Sequence, residues 1–368
     1  MFLEKDILFT IALNFVPKIG PTIARKLIER FGSAEDVFLQ KTKELKQFSG
    51  VGPTLATALI NRQILKMAEQ EMAFCEKHKI DIIHYKDKKF PSLLNECDDA
   101  PTILFSKGDL KWENKKVISI VGTRKASEYG KQQCERLIRD LTEKGYQLII
   151  ISGLAIGIDG CAHKAALKYG QETIAVVAHG FREIYPVVHR KLASEITSHG
   201  SIITEFFSDT RPEAFNFVRR NRLIAAISPL TVVIESPLKG GSMITASLAN
   251  SYNRDVFAFP GKVTDIASKG CNMLIKTNRA ALIESADDLE NFMSWQAHNP
   301  KPIQPKLFKS LTEEEKEIIE HLTNQDKLNL NTLVKLTGIP INKISLYVIN
   351  LEMEGVIKSL PGNFFKLI

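Results

Sequence analysis

The densest chemistry in this chain lies in FNFVRRNRLIAAIS, residues 215–228, where Phe215 and Phe217 precede Arg219, Arg220, Asn221 and Arg222 with no acid between them. Unpaired nucleobases expose π-faces that aromatic rings stack on, and guanidinium groups follow phosphates and stack as well, so this pattern suits a single nucleic-acid strand. The alternative is a helix whose phenylalanines enter a core and whose arginines are solvated. Three more segments could approach phosphate through strand-to-helix turns. In GTRKASEYG, Gly122 permits a tight turn, Arg124 can clamp a phosphate through two N–H groups with Lys125 beside it, and Ser127 can cap the next helix. A solvated arginine after a strand is the plainer reading of Arg124. In SGLAIGIDGCAH, Ser152, Gly153, Ala155, Gly157 and Gly160 keep the chain small enough for backbone to approach a ligand. In ESPLKGGSMITASLAN, Lys239, Gly240, Gly241, Ser242 and Thr245 form a third turn of this kind.

Catalysis is not expected from these groups. Asp159 reads as a helix-start cap and His163 as a packed or locally bonded side chain; no nucleophile stands at usable spacing from the pair. The glycines do not spell G-x-G-x-x-G, so no dinucleotide cofactor is expected, and no metal-ligand set forms around them. A loop of the P-G-G-x-G-T-x-x-E type would mark a phosphoribohydrolase-like, nucleotide-processing enzyme. Here Ala246, Ser247 and Leu248 follow Thr245, and the carboxylate that would assist N-glycosidic cleavage is missing. A Rossmann protein that senses a small phosphate ligand in the same crevice is the third reading.

These turns need a frame. Short apolar runs, VISIV from Val117, QLIII from Gln147, TIAVVA from Thr173, TVVIE from Thr231 and DVFAF from Asp255, alternate with helical patterns between about 115 and 285. Runs apolar on successive residues belong to strands covered on both faces, so a parallel α/β sheet is predicted, with the turns at its carboxyl edge where ligands of this architecture bind. Before it, IGPTIARKLIERFGS and SGVGPTLATALINRQ repeat one pattern around Gly20, Gly32, Gly50 and Gly52, resembling tandem helix-hairpin-helix units. Ten Lys/Arg against six Asp/Glu in residues 1–66 would suit phosphate contact, and a module that only packs fits nearly as well. Pro300, Pro302 and Pro305 mark a linker, and residues 311–368 read as three helices and a hairpin, a winged helix. Eight acids outnumber six lysines there, which favours protein contact over groove reading.

A hydrophobic fraction of 44% with 25% charged residues describes a globular chain, and a net charge of +7 favours a polyanionic partner. Cys75, Cys97, Cys134, Cys161 and Cys271 are odd in number and widely spaced, as reduced core fillers are. With no signal-peptide pattern and no apolar run of spanning length, a cytoplasmic protein without membrane insertion is expected.

The ordered series VGTRKAS, SGLAIGIDGCAH, YPVVHRKLASEI, RRNRLIAAIS, KGGSMITASLA, RDVFAFPG and GCNMLIKTN resembles the DprA/Smf family of DNA-processing proteins over about residues 80–285, and the flanking domains match its layout. The resemblance implies a non-enzymatic single-stranded DNA-binding protein that protects incoming DNA, forms a homodimer and loads the RecA recombinase during natural transformation. It implies a helical domain over 1–75, an extended Rossmann-like domain over 80–293, a Pro-rich linker over 294–310 and a winged helix over 311–368. By motif match, Arg124, Ser152, Gly153, Arg220, Asn221, Arg222 and Lys239 would line the DNA site. The residue reading adds Gly122, Lys125, Ala155, Gly157, Phe217, Arg219, Gly241, Ser242 and Thr245. Two departures stand out: Phe217-Val218 replaces the family's usual Phe-Pro, and Asn278-Arg279-Ala280 replaces a Gly-Ala in the stretch where the family dimerises.

Overall fold

The computed structural model describes residues 2–46, 59, 62–296, 311–323, 325, 327–360 and 362–367. It divides into two compact units, Met1–Lys301 and Pro302–Ile368.

The first unit opens with helices α1 (Phe2–Phe15), α2 (Pro21–Phe31), α3 (Ala34–Leu39), α4 (Thr42–Lys46) and α5 (Arg62–His78). Gly20 takes the N-cap position of α2 with proline following it, and Gly32, at φ 98°, ends the helix by donating its N–H to Ile28 O at 2.8 Å. This is the first copy of the repeat; most of the second, residues 49–63, lies outside the described residues. The helices bury Ile11, Leu13, Leu27 and Val37 together with Ile103 and Phe105 of the sheet, so helices and sheet edge share one core.

Nine strands follow: β1 (Asp81–His84), β2 (Ile103–Gly108), β3 (Lys116–Val121), β4 (Leu148–Ser152), β5 (Glu172–Val176), β6 (Gly200–Thr204), β7 (Leu230–Val233), β8 (Asp255–Ala258) and β9 (Ala281–Leu282). They form one sheet in the order β1-β2-β6-β5-β4-β3-β7-β8-β9. From β3 onward the pairing is parallel, whereas β2 runs antiparallel to β6 and β1 antiparallel to β2. Between them lie α6 (Ser92–Asn95), α7 (Glu128–Glu143), α8 (Ile158–Lys168), α9 (Arg190–Ser198), α10 (Ala214–Ile227), α11 (Gly241–Ser251), α12 (Lys269–Lys276) and α13 (Ala286–Phe292). The successive apolar residues of β3 and β4 divide between two layers. Ile118, Ile120, Leu148 and Ile150 pack into the core that α7 and α8 cover, while Val121, Ile149 and Ile151 pack into that of α10 and α11.

The five expected strands are present. Four others, β1, β2, β6 and β9, escaped the sequence reading because each is short and lacks a long β-branched run: β2 ends in SKG, and β6 is GSIIT between helix and loop. The strand order reverses at β3, because the chain runs outward through β4, β5 and β6 and then returns to place β7 on the other side of β3. A crevice opens at such a point because the loops on its two sides diverge.

The second unit comprises α14 (Glu313–Thr323), β10 (Leu328–Asn329), α15 (Leu330–Thr337), α16 (Ile341–Met353), β11 (Ile357–Leu360) and β12 (Phe364–Leu367), with strand order β10-β12-β11. Asn329 caps α15 by accepting from Thr332 N, and Gly338 ends that helix at φ 66°. Ile318, Leu322, Leu333, Ile344, Val348, Leu351 and Phe365 fill its core. The strand β10, which extends the expected hairpin to three strands, is only two residues long and carries no sequence signal.

Candidate nucleic-acid interface

At the reversal point lies a crevice of about 550 Å³. The loop after β3 contributes Gly122, Thr123 and Arg124; the loop after β4 contributes Ala155 and the start of α8 Asp159; the β7–α11 turn contributes Pro237, Lys239 and Gly240, and the start of α11 Gly241, Ser242 and Thr245; and α10 lends Phe217, Val218, Arg220 and Asn221. Four segments that are far apart in sequence therefore meet at one sheet edge.

Hydrogen bonds lace the loops together. Thr123 N donates to Glu235 O at 2.7 Å, Ile158 N to Thr123 O at 3.2 Å, and Ser127 donates through both N and Oγ to the buried Glu235 carboxylate at 2.9 and 2.7 Å. Ser127 Oγ also accepts from Gly130 N, the helix cap expected for α7. The glycines serve these contacts. A Cβ on Gly157, which sits at φ 85°, would lie 2.2 Å from Thr123 O; one on Gly153 would strike Arg220 and Asp159, and one on Gly122 would strike Ile158. Their close backbone approach is to protein, where the sequence reading expected a ligand. Gly241 differs, since its Cβ would meet nothing nearer than Asn221 Nδ2 at 3.8 Å, and it starts α11 with the helix's positive end at the crevice.

The cations divide into two kinds. Arg124 and Lys239 are exposed and make no ion pair among the described residues; the Arg124 guanidinium lies 5.1 Å from the centroid of the Phe217 ring. Phe217 also meets the Tyr185 ring at 5.7 Å. Arg220, by contrast, is 3% exposed and donates to Gly153 O at 2.6 Å and to Val176 O. Burial, with Arg124 acting in the same direction against the pull of Asp159, lowers its pKa to about 10. Arg222 is also buried, outside the crevice lining, and bonds Asp99 O and the Glu205 carboxylate. Arg219, half-buried, faces Glu205 at 3.7 Å and covers the Phe206 ring. The three arginines expected to act alike therefore split into a strut beneath the crevice, a clamp to the sheet edge and a partly free cation, because one helix turns them to three sides.

Other expected residues also move inward. Ser152 is fully buried and donates to Ile120 O; Ser242 bonds Ser236 Oγ; Thr245 bonds Gly241 O. Lys125 is exposed but does not line the crevice. Asp159 is not the cap of α8, whose N-cap is Gly157; its carboxylate accepts from Gly153 N at 3.2 Å and Ala155 N at 3.4 Å. Burial raises its pKa while Arg220 opposes the shift. His163 is fully buried and bonded to Thr173 Oγ1 at 2.6 Å, with burial first and the nearby His189 and Arg220 next lowering its pKa to about 3. Tyr185 was missed, since its place beside Phe217 comes from a loop 32 residues upstream that carries no signal for the meeting. The lining carries Arg124, Arg220 and Lys239 against one carboxylate, Asp159, which accepts from two backbone N–H groups and lies within the field of Arg220, so the rim is positive. No helix among the described residues is long and apolar enough to cross a membrane. No cluster of metal-ligating side chains occurs among them.

A Rossmann-like sheet with a cationic, aromatic crevice at its switch point, flanked by a helix-hairpin-helix region and a winged helix, defines a DNA-processing class of protein. The family model described as DNA recombination-mediator protein A matches residues 81–294, a SAM-like helix-hairpin-helix tandem matches 11–62, and the DprA winged helix domain matches 302–363. The chain belongs to the DprA/Smf family. It is 37% identical to the DNA processing protein DprA of Bacillus subtilis over 64% of this chain and 79% of that one, and 31% identical to the protein Smf of Escherichia coli over 82% and 81%. Among solved structures, DprA of Streptococcus pneumoniae aligns at TM-score 0.63 and 30% identity, over 78% of this chain and 97% of that one. DNA processing protein A of Helicobacter pylori, described for its single-stranded DNA binding mode, aligns at 0.53 and 30%, over 60% and 98%.

Proposed function

We propose that this protein binds single-stranded DNA in the crevice at the reversal point, protects it, and delivers it to the RecA recombinase during natural transformation, acting as a cytoplasmic homodimer and catalysing no reaction itself. The observation that carries the reading is the pair of cations Arg124 and Lys239, without an ion pair among the described residues, beside the half-buried Phe217 and the exposed Tyr185. A single strand gains from both at once, its phosphates from the cations and its unstacked bases from the rings, whereas a stacked duplex offers the rings nothing. The name and binding mode of the Helicobacter pylori relative support the same ligand. A phosphoribohydrolase needs a free carboxylate at the reacting bond; the crevice carboxylate is buried and engaged.

Fluorescence anisotropy of labelled oligo(dT), competed with duplex and with mononucleotides, tests this. Single strand should win, and affinity should fall with salt, each phosphate contact adding about −0.7 to the logarithmic slope. Equal competition by duplex, or full displacement by a mononucleotide at matched nucleotide concentration, would exclude a strand-binding site. Stimulation of RecA on strands coated with single-strand-binding protein, and the solution mass, test loading and dimerisation separately.

A further inference from the structure

A second crevice, of about 570 Å³, lies on the opposite flank of α10. Its walls are the turn between α1 and α2, residues 16–21, and the segment following β6. Phe206, Phe207 and Phe215 line it, the last 69% exposed. Lys18 stands at the tip of the turn, exposed, at φ 68° and without an ion pair among the described residues; Arg219 lies over the Phe206 ring at 5.0 Å. The one carboxylate in the lining, Glu205, has a buried side chain and already faces both Arg222 and Arg219. Arg219 and Lys18 against one carboxylate, itself bonded to Arg222 behind the lining, leave this crevice positive, like the first.

Helix α10 is the ridge between the two. Its residues Ala214, Phe217, Val218 and Asn221 face the first crevice, while Phe215, Asn216 and Arg219 face the second. With side chains a helix is about 10–12 Å across, roughly three stacked nucleotides at about 3.4 Å each. Resting on the reading that the first crevice holds single-stranded DNA, we propose that the same strand continues over the amino-terminal turn of α10 into the second crevice, a base stacking on Phe215 and phosphates meeting Lys18 and Arg219. The α1–α2 turn is then part of the DNA track. An exposed phenylalanine beside Lys18 and the half-buried Arg219, on the ridge that borders the first crevice, matches a nucleic-acid strand better than an apolar peptide.

The test compares oligo(dT) of about 6 nucleotides, which fits one crevice, with oligo(dT) of about 20, which reaches both. Wild type should bind the longer strand more tightly per molecule than the extra registers alone provide. Phe215→Ala should weaken the longer strand about fivefold or more and leave the shorter within about twofold, and Lys18→Ala should reduce the salt slope of the longer strand by about 0.7. Both side chains are exposed, so unchanged melting temperatures should accompany the losses. Equal effects on the two lengths, or no effect of either substitution while Arg124→Ala weakens both, would overturn the proposal and leave the first crevice as the whole site. Wild type binding neither strand would instead refute the single-strand reading itself, and the proposal with it. Effects confined to RecA stimulation, with both affinities intact, would assign the surface to a protein and likewise overturn it.

Discussion

Arg220 and Arg124 border the same crevice, yet replacing each with alanine should have opposite consequences. Arg220→Ala removes a 3% exposed guanidinium that bonds Gly153 O and Val176 O and balances Asp159, leaving two buried acceptors and a buried carboxylate without their partner. Breaking a buried charge pair of this kind costs about 3–5 kcal/mol. At about 2–4 °C per kcal/mol for a domain of this size, the melting temperature should fall by roughly 6–20 °C. Arg124→Ala removes an exposed side chain and should stay within about 0.5 kcal/mol of wild-type stability, while losing about 1–3 kcal/mol of oligo(dT) affinity, a factor of roughly 5–150. The Arg220 deficit should also depend on pH. Burial holds the Asp159 pKa above its unfolded value, so the ionised carboxylate costs folded-state stability as pH rises through and above the ordinary carboxylate range; without Arg220 that cost grows. The variant should therefore be closest to wild type in acid and fall further behind toward neutrality. Thermal melts from pH 4 to 8 alongside anisotropy measure all of this. An Arg220→Ala protein that melts with wild type but binds oligo(dT) weakly would make Arg220 a ligand group and refute the strut assignment.

Gly157→Ala should destabilise by at least about 1–3 kcal/mol, because a side chain at φ 85° is strained and its Cβ would press on Thr123 O; denaturant melts would show it, and a neutral result would mean the two loops can separate freely. His163 has its pKa depressed to about 3, so its contribution is fully present above the unfolded value near 6.5 and is lost as pH falls toward 3, on the order of 2 kcal/mol by pH 5. Denaturation across that range should therefore be less pH-sensitive in His163→Gln, and an unchanged slope would place the titration elsewhere. Removing residues 302–368 should leave oligo(dT) affinity within about threefold, roughly 0.65 kcal/mol, since the eight acids against six lysines of residues 311–368 repel phosphate; a large loss in a folded protein of unchanged oligomeric state would assign DNA contact to that unit.

The fold class was legible because its signals are local. Unbroken apolar runs such as QLIII can be stable only where helices cover both faces of a strand, and the Gly20, Gly32 and Ser127 positions follow from cap chemistry that acts within four residues. The position of the crevice was legible for the same reason, since the strand-to-helix turns of a parallel sheet share its carboxyl edge. The roles of individual cations were not. RRNR reads as one basic patch, but successive residues on a helix point about 100° apart, and only packing decided that Arg220 enters the sheet, Arg222 turns to Glu205 and Arg219 remains half free. The glycines likewise revealed close approach without revealing what approached. Tyr185 and the second crevice belonged to tertiary structure alone, because each joins chain segments whose meeting depends on where strands β1, β2 and β6 set the sheet edge, and those strands are too short to leave a pattern in the sequence.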